Sequence, residues 1–199
     1  EAALVTSNEI LIFWHTASQP TMATSCLQVP YLLAIYKANA EAFSNTILLD
    51  EHTQSLNTFA GGVDVEISRD GSSALIEEAH EAGAIVVASF HDFEATPGDE
   101  QLAEVLAAMN YAGADVLKFA CMASSATDAA RVLAAQAWAR EAYDRPVIGI
   151  SMGEHGAPTR LVGSALGSAA TFATLPGWEG SAPGQFTVEQ VRTVLDITE

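Results

Sequence analysis

The chain has 199 residues, of which 49% are hydrophobic, and its 25 acidic and 8 basic residues give a formal net charge of −17. This length is enough for one domain with a sizeable core, and we expect residues 1–199 to form a single domain. A surface of this charge repels polyanions, so we expect neither nucleic acid nor an anionic membrane as a partner.

The two cysteines, Cys26 and Cys121, have the spacing of neither a disulfide framework nor a metal site. The sequence contains no apolar run long enough to cross a bilayer, and we expect no signal peptide. We therefore expect a cytoplasmic protein that binds no metal ion and needs no cofactor.

The N-terminal third has one clear strand, at residues 9–15, which ends in a polar loop. Residues 27–43 carry apolar side chains at roughly helical spacing, with Pro30 in the first turn, and so predict a helix. The segment 46–60 is the least readable, because residues 47–49 fit either a strand or a helical turn.

The strand at residues 63–67 carries acids at alternate positions, Asp64 and Glu66. A carboxylate inside an apolar strand needs a partner or a role, so Glu66 is a candidate for substrate binding. The alternative is a carboxylate that faces water from the end of the strand. An amphipathic helix over residues 74–82 follows and ends at Gly83.

His91 stands where the next apolar strand, residues 84–90, ends. Thr96 then predicts the N-cap of a helix that has Pro97 at its first position and stops at Gly113. A histidine at the end of a strand often has only a packing or capping role, and this alternative applies to His91 when it is considered alone.

Lys118 interrupts the apolar strand at residues 114–122 and is one of only two lysines in the chain. A buried ammonium group costs several kcal/mol without a partner. Burial disfavours the charged form and makes the neutral amine available as a nucleophile toward a carbonyl. The alternative is a lysine whose amine reaches water from the end of the strand.

His91 and Lys118 follow each other on consecutive strands, near the carboxyl ends where α/β folds place their chemistry. An imidazole beside a nucleophilic amine can move protons during Schiff-base formation. The pair therefore indicates an enzyme that forms an imine with a carbonyl substrate.

The C-terminal part continues the same alternation. Ser125 predicts the N-cap of a helix over residues 126–143, and strands at 147–152 and 170–175 follow, with a glycine-rich loop between them. Thr187 and Gln190 form a capping box at the start of the last helix.

Alternating strands and helices with short connections predict a parallel sheet with right-handed crossovers. Six such units fit an open doubly wound sheet or most of an eight-stranded barrel. The sequence has no dinucleotide or phosphate loop, which favours the barrel. The six predicted strands centre on Ile12, Val65, Val87, Leu117, Ile148 and Phe172.

Several stretches, in order from about residue 63 to the C-terminus, resemble type I 3-dehydroquinate dehydratase. They are residues 89–93 with 96–97, 114–120, 151–153, 159–163, 167–172 and 181–185. The resemblance implies a (β/α)8 TIM barrel of the class I aldolase type. It also implies a homodimeric lyase of the shikimate pathway of aromatic amino acid biosynthesis, which converts 3-dehydroquinate to 3-dehydroshikimate through a lysine imine.

The resemblance also assigns roles to single residues. Lys118 would form the imine, His91 would transfer the protons, and Arg160 would clamp the carboxylate of a small-molecule substrate. Ser181 and Gln185 would hydrogen-bond the substrate, and Met152 would pack against its ring. The residues alone support Arg160 only as an arginine in a glycine-rich loop, for which a surface position is the alternative.

The N-terminal third departs from the family. The family has two further strands before residue 10, the second with a glutamate and an arginine that touch the substrate, and we expect this chain to lack them. His15 stands where the family has an arginine, and could replace it as a partial cation in the substrate site. Gln19 stands where the family has a glutamate near the catalytic histidine, and the Glu-Gly-Gly that follows there is absent.

Two other functions stay open. One is a different Schiff-base lyase or aldolase that uses Lys118 on another keto acid or sugar. The other is a catalytically impaired or non-catalytic relative that binds a ligand or a partner, since a fold alone does not fix a function.

Overall fold

The computed structural model describes residues 62–174 and 182–198, together with the backbone of three short strands at 2–5, 10–15 and 31–36. The strands are β1 (Ala2–Val5), β2 (Ile10–His15), β3 (Tyr31–Tyr36), β4 (Gly62–Glu66), β5 (Ile85–Asp92), β6 (Val116–Met122), β7 (Val147–Met152) and β8 (Thr171–Thr174). The helices are α1 (Ser72–Glu81), α2 (Asp99–Tyr111), α3 (Ala126–Ala142), α4 (Gly153–Gly156), α5 (Thr159–Val162) and α6 (Val188–Thr198), with a 3-10 turn at Ser164–Leu166. All six predicted strands are present.

Strands β4, β5, β6 and β7 form a parallel sheet in chain order, and α1, α2 and α3 are the crossovers between them. Alternate strand residues, such as Val65, Ala88 and Phe119, pack with residues of the three helices in the main core. Because side chains alternate between the two faces of a strand, the residues between them face the other side of the sheet. This arrangement confirms the predicted parallel α/β architecture for residues 62–152.

The second sheet has the order β3-β2-β1-β8, and all of its ladders are antiparallel. The prediction that the strand around Ile12 belongs to the parallel succession is therefore wrong. Only residues 6–9 connect β1 to β2, and a connection of that length permits an antiparallel pair but no crossover. Among the described residues, the ladders of the two sheets do not join into one closed barrel.

The helix predicted over residues 27–43 is also wrong, because the structure has strand β3 at residues 31–36. That run, Tyr-Leu-Leu-Ala-Ile-Tyr, is short, apolar and rich in residues that favour strands. A short apolar run of this kind cannot be assigned from its periodicity alone, and the pairing of β3 with β2 decides it. Residues 46–60 lie outside the described part of the chain.

The segment before β8 runs beside the start of β7. Val147 and Ser168 form a parallel bridge, and the Ala169 N–H donates to the Val147 carbonyl over 2.8 Å. The chain then turns into β8, whose ladder is with β1. Within the described part of the chain, strand β7 is thus paired along one edge by β6, and on its other edge by only a short contact near its start.

The helix ends follow the sequence with one exception. Ser125 accepts from the Asp128 N–H as the predicted N-cap of α3, and Thr187 and Gln190 form the predicted capping box. Thr96 is not the N-cap of α2, because α2 begins two residues later than predicted and Gly98 takes that position. The Thr96 hydroxyl instead donates to the Met122 carbonyl and ties the end of β5 to the end of β6.

Candidate active site

The face of the parallel sheet that lies opposite the helices carries the polar residues. Glu66 on β4 pairs with Ser89 on β5, and Ser89 pairs with Lys118 on β6. His91 stands two residues further along β5 than Ser89. Because Asp64 and Glu66, Ser89 and His91, and Lys118 occupy alternate positions, they share one face. Three neighbouring strands therefore bring these side chains together.

Lys118 is buried, with 7% of its surface exposed, and its amine is paired with a carboxylate. The distance from Lys118 Nζ to Asp64 Oδ2 is 2.8 Å, and both side chains are largely withdrawn from water. The Ser89 hydroxyl donates to the other oxygen of Asp64. Lys118 does not reach bulk water from a strand end, so the burial expected from the sequence is present together with the counter-charge that it requires.

His91 is held by a second carboxylate, that of Glu66, which lies on β4 like Asp64. His91 Nδ1 lies 2.7 Å from Glu66 Oε2, and Ser68 Oγ donates to Glu66 Oε1 over 2.9 Å. The Phe93 ring stacks on the imidazole, with 5.6 Å between the ring centroids and an angle of 6° between the planes. A carboxylate at Nδ1 fixes the orientation of the ring and leaves Nε2 available for chemistry.

The two bases and their two carboxylate partners thus form one connected set of side chains. Asp64 and Glu66 project from β4 at adjacent positions of one face, and they reach Lys118 and His91 on the two strands beyond. Backbone ladders fix the relative height of all four residues. Such ladders hold side chains more rigidly than loops do, which is the geometry that imine chemistry needs.

Arg160 differs from both bases because its charge has no partner among the described residues. It lies in α5, after β7, and only 4% of its surface is exposed. Its Nε and Nη1 atoms are buried without a hydrogen-bond partner in the described part of the chain. Burial lowers the pKa of the Arg160 guanidinium from 12.5 to about 10. A buried guanidinium with free donors is suited to bind an anion with two hydrogen bonds.

The inner face continues from the bases into an apolar surface. Met152 is almost fully buried there, and Lys118 Nζ lies 5.2 Å from the centroid of the Phe172 ring. This surface is one packed cluster, which Ala182 of the last loop also contacts. Its buried members are Ala120, Ile148, Ile150, Met152, Ala170 and Phe172. An apolar wall of this kind favours the carbon ring of a substrate over bulk water.

The last loop is seated on α4, close to this cluster. Gly184 has a φ of +78°, and a Cβ there would lie 2.7 Å from the Gly153 carbonyl oxygen, so only glycine fits. Gln185, the predicted hydrogen-bonding residue, follows directly and is half-buried. Ser181 lies outside the described residues. His15 ends β2 opposite Tyr31, and its side chain also lies outside the described part.

The residues that the sequence analysis missed are Asp64 and Ser89. Asp64 was recognised only as one of two alternating acids, although the same alternation that singled out Glu66 puts Asp64 on the same face. Ser89 stands two residues before His91 and gave no signal of its own. Within residues 62–174 and 182–198, no group of three or more His, Cys, Asp or Glu side chains is placed to hold a metal ion.

Within the same ranges, no helix is both long and apolar enough to cross a membrane.

Cys121 is buried in the helix-facing core, and burial raises the pKa of its thiol to about 12. A thiol of this kind is protonated at neutral pH and is a poor nucleophile, so Cys121 is a packing residue.

Comparison with known proteins shows which protein family this chain resembles. A family model described as type I 3-dehydroquinase matches residues 24–199. A 3-dehydroquinate dehydratase of Klebsiella pneumoniae is 38% identical over 175 residues, which are 83% of this chain and 68% of that protein. A 3-dehydroquinate dehydratase of Listeria welshimeri is 42% identical over 137 residues, 68% of this chain and 54% of that protein.

Solved structures give the same result. The 3-dehydroquinate dehydratase of Geobacillus kaustophilus matches with a TM-score of 0.65 at 37% identity, over 69% of this chain and 53% of that chain. The type I enzyme of Clostridium difficile, solved with covalently modified comenic acid, matches with a TM-score of 0.63 at 34% identity, over 69% and 55%. The chain thus spans about half the length of these structures. The similarity confirms the predicted fold class.

Proposed function

The chain belongs to the type I 3-dehydroquinate dehydratase family, and we propose that it dehydrates 3-dehydroquinate to 3-dehydroshikimate through an imine on Lys118. The observation that carries the proposal is the buried Lys118 amine, which shares one face of the sheet with His91 and with their two carboxylate partners. Burial among defined partners is typical of a lysine that acts on a carbonyl.

The reaction uses the protonated imine of Lys118 as an electron sink. His91 takes a proton from the Lys118 ammonium, and the neutral Nζ attacks the ketone carbon. The carbinolamine hydroxyl then leaves as water with the proton that His91 returns, which gives the protonated imine. The imine acidifies the neighbouring C–H bond, and His91 removes that proton as a general base. The hydroxyl on the next carbon leaves as water when His91 returns the proton, and hydrolysis of the imine releases the product and restores Lys118.

The two acids of β4 have separate roles in this scheme. Asp64 offsets the charge of the Lys118 ammonium and then of the protonated imine, so a buried positive charge has a partner throughout. Glu66 accepts from His91 Nδ1, which keeps Nε2 as the atom that takes and returns the proton. Glu66 would therefore act through His91 as a positioning residue, and its predicted contact with the substrate stays a prediction.

The remaining residues would bind the substrate. The free donors of Arg160 suit the substrate carboxylate, which would supply the missing counter-charge. Met152 belongs to the apolar cluster that would face the ring. Contacts from Ser181, Gln185 and His15 stay predictions, as do a homodimer, a single domain and a cytoplasmic location.

Borohydride reduction in the presence of 3-dehydroquinate tests the proposal, because it converts an imine into a stable adduct that intact mass measures. We expect an adduct on the parent chain and on Lys37→Ala, the matched control for the only other lysine, but not on Lys118→Ala. His91→Ala keeps the amine and should still give the adduct, while turnover falls by about 10²–10⁴-fold.

The same experiment separates the alternatives. A folded parent chain that gives no adduct with 3-dehydroquinate but reacts with another keto acid would indicate a different Schiff-base enzyme. A folded chain that gives no adduct with any ketone would indicate a non-catalytic relative. An adduct without turnover would show that the imine forms and that a later step is lost.

A further inference from the structure

Gln136 is a fully buried side chain in the middle of α3, and all three of its amide hydrogen bonds connect other elements. Its Oε1 accepts from the Gly149 N–H in β7 over 3.0 Å. Its Nε2 donates to the carbonyls of Gly163 and Leu166, both over 3.1 Å. One side chain thus joins α3, β7 and the segment that follows α5.

Among the described residues, strand β7 has no strand neighbour at the place where this amide lies. The contact between β7 and the segment before β8 is a single bridge at Val147 and Ser168. Two residues further along, the Gly149 N–H donates to Gln136 instead of to a strand. A buried backbone N–H left without such a partner would be destabilising, so the side chain is required where it lies.

The segment that Gln136 holds directly follows the short helix α5, which carries Arg160. Gly163 and Leu166 stand three and six residues after Arg160, beyond the short helix α5. The Arg160 side chain has free Nε and Nη1 atoms and makes no ion pair among the described residues. Its position therefore depends on its own backbone. That backbone is held by Gln136 together with backbone hydrogen bonds, such as the one from the Arg160 N–H to the Ala157 carbonyl.

We propose that Gln136 is a positioning residue. By holding the backbone that follows α5, it sets the position of the Arg160 side chain in the site and thereby the affinity of the site for a carboxylate. The inference rests on the proposed function only in taking Arg160 as the carboxylate-binding group. Gln136 contacts neither Lys118 nor His91 in the described hydrogen bonds, so it acts on binding and not on imine formation.

The glycine at position 149 belongs to the same device. A Cβ at Gly149 would lie 2.6 Å from Gln136 Oε1 and 3.0 Å from both Gln136 Cβ and Phe119 Cζ. A side chain at Gly149 would therefore displace the Gln136 amide, and the carbonyls of Gly163 and Leu166 would lose their hydrogen bonds to that amide. Gly149→Ala should therefore reproduce the effect of removing the amide.

The test compares Gln136→Leu and Gly149→Ala with Val132→Ala, a core control on the same helix whose side chain is equally buried. Quinate, the alcohol that corresponds to the ketone substrate, carries the carboxylate but cannot form an imine. Its dissociation constant is measured by calorimetry. Cyclohexanone carries no carboxylate, and its trapping on Lys118 by borohydride measures the amine alone.

We expect both test variants to bind quinate about 10- to 100-fold more weakly, because a displacement of about 1 Å at a binding group can cost about 10²-fold. Cyclohexanone trapping should stay at the parent rate in both. Val132→Ala should leave both readouts unchanged even where it lowers the thermal stability, and Arg160→Met should abolish quinate binding.

Several outcomes would overturn the inference. They are parent-like quinate binding in Gln136→Leu and Gly149→Ala, an equal loss in Val132→Ala, a parallel loss of cyclohexanone trapping, or a parent chain that does not bind quinate. If both test variants are unfolded at 25 °C, Gln136 is a folding residue and the inference fails as well. A parent chain that binds quinate but gives no adduct with 3-dehydroquinate would instead contradict the proposed function and leave this inference standing.

Discussion

Replacing Arg160 by methionine should stabilise the ligand-free protein and abolish binding of the carboxylate. The guanidinium is almost fully buried, and two of its nitrogen atoms have no hydrogen-bond partner in the described part of the chain. A buried charge without a counter-ion opposes folding, and replacement by an apolar side chain of similar length removes that cost. Methionine also fills an irregular apolar space well.

The size of the expected gain in stability follows from the effect of burial on the pKa of Arg160. Burial lowers the pKa of its guanidinium from 12.5 to about 10, which corresponds to a cost of about 3 kcal/mol at 25 °C. A chain of this length gains about 2–4 °C in Tm for each kcal/mol of stability. We therefore expect the Tm of Arg160→Met to rise by several degrees. At neutral pH the parent protein carries this cost in full, because its guanidinium is charged there.

Thermal unfolding with and without quinate measures both effects. Saturating quinate should raise the Tm of the parent chain and leave that of Arg160→Met unchanged, because only the parent has the binding charge. Arg131→Met is the control, since Arg131 is paired with Asp99 and Asp128 and is more exposed. It should not gain stability. A Tm for Arg160→Met equal to or below that of the parent would refute the argument that Arg160 is an uncompensated charge.

Three further predictions concern the reactive pair and the last loop. Asp64→Asn should cost about 3–5 kcal/mol in denaturant unfolding because it leaves the Lys118 ammonium buried alone, and adding Lys118→Met should recover most of that loss; an unchanged stability in the single variant would contradict it. Glu66→Gln should keep borohydride trapping but lower turnover, up to the roughly 10²–10⁴-fold expected for loss of the base His91, and unchanged turnover would argue against the positioning role. Gly184→Ala should lower stability by about 1–3 kcal/mol or more, measured as Tm, since φ is +78° there; no change would mean that the last loop is not seated on α4.

The sequence predicts the parallel half of the fold well, for a physical reason. From residue 62 onward, short apolar strands alternate with helices whose ends carry clear caps, such as Ser125 and the Thr187 box. Before residue 62 the strand at residues 9–15 is clear, but the elements that follow it are not. The run Tyr31–Tyr36 has a composition that fits a strand, but only its pairing with β2 distinguishes it from a helix.

The sequence likewise predicts some residues of the candidate site and not others. His91 and Lys118 could be found because a basic residue in an apolar strand is unusual, and Glu66 because an acid there is equally unusual. Ser89 and Gln136 could not be found, since serine in a strand and glutamine in a helix are ordinary residues. Their importance comes from what lies opposite: the Asp64 carboxylate for Ser89, and the Gly149 N–H for Gln136. Contacts between residues distant in sequence are set by the fold and leave no local pattern.

Among the described residues the two bases are paired and Arg160 is not, and this contrast follows from what each must do during the proposed reaction. Lys118 and His91 change their proton content as the imine forms and breaks, so each needs a carboxylate that stays in place through every step. Arg160 keeps its charge, and a protein carboxylate beside it would compete with the substrate for the same donors. In a chain with a net charge of −17, an anionic substrate is repelled at long range and gains affinity only where a buried cation lacks a partner. The cost in stability that this guanidinium imposes, unpaired as it is among the described residues, is thus the source of the carboxylate affinity that we propose for Arg160.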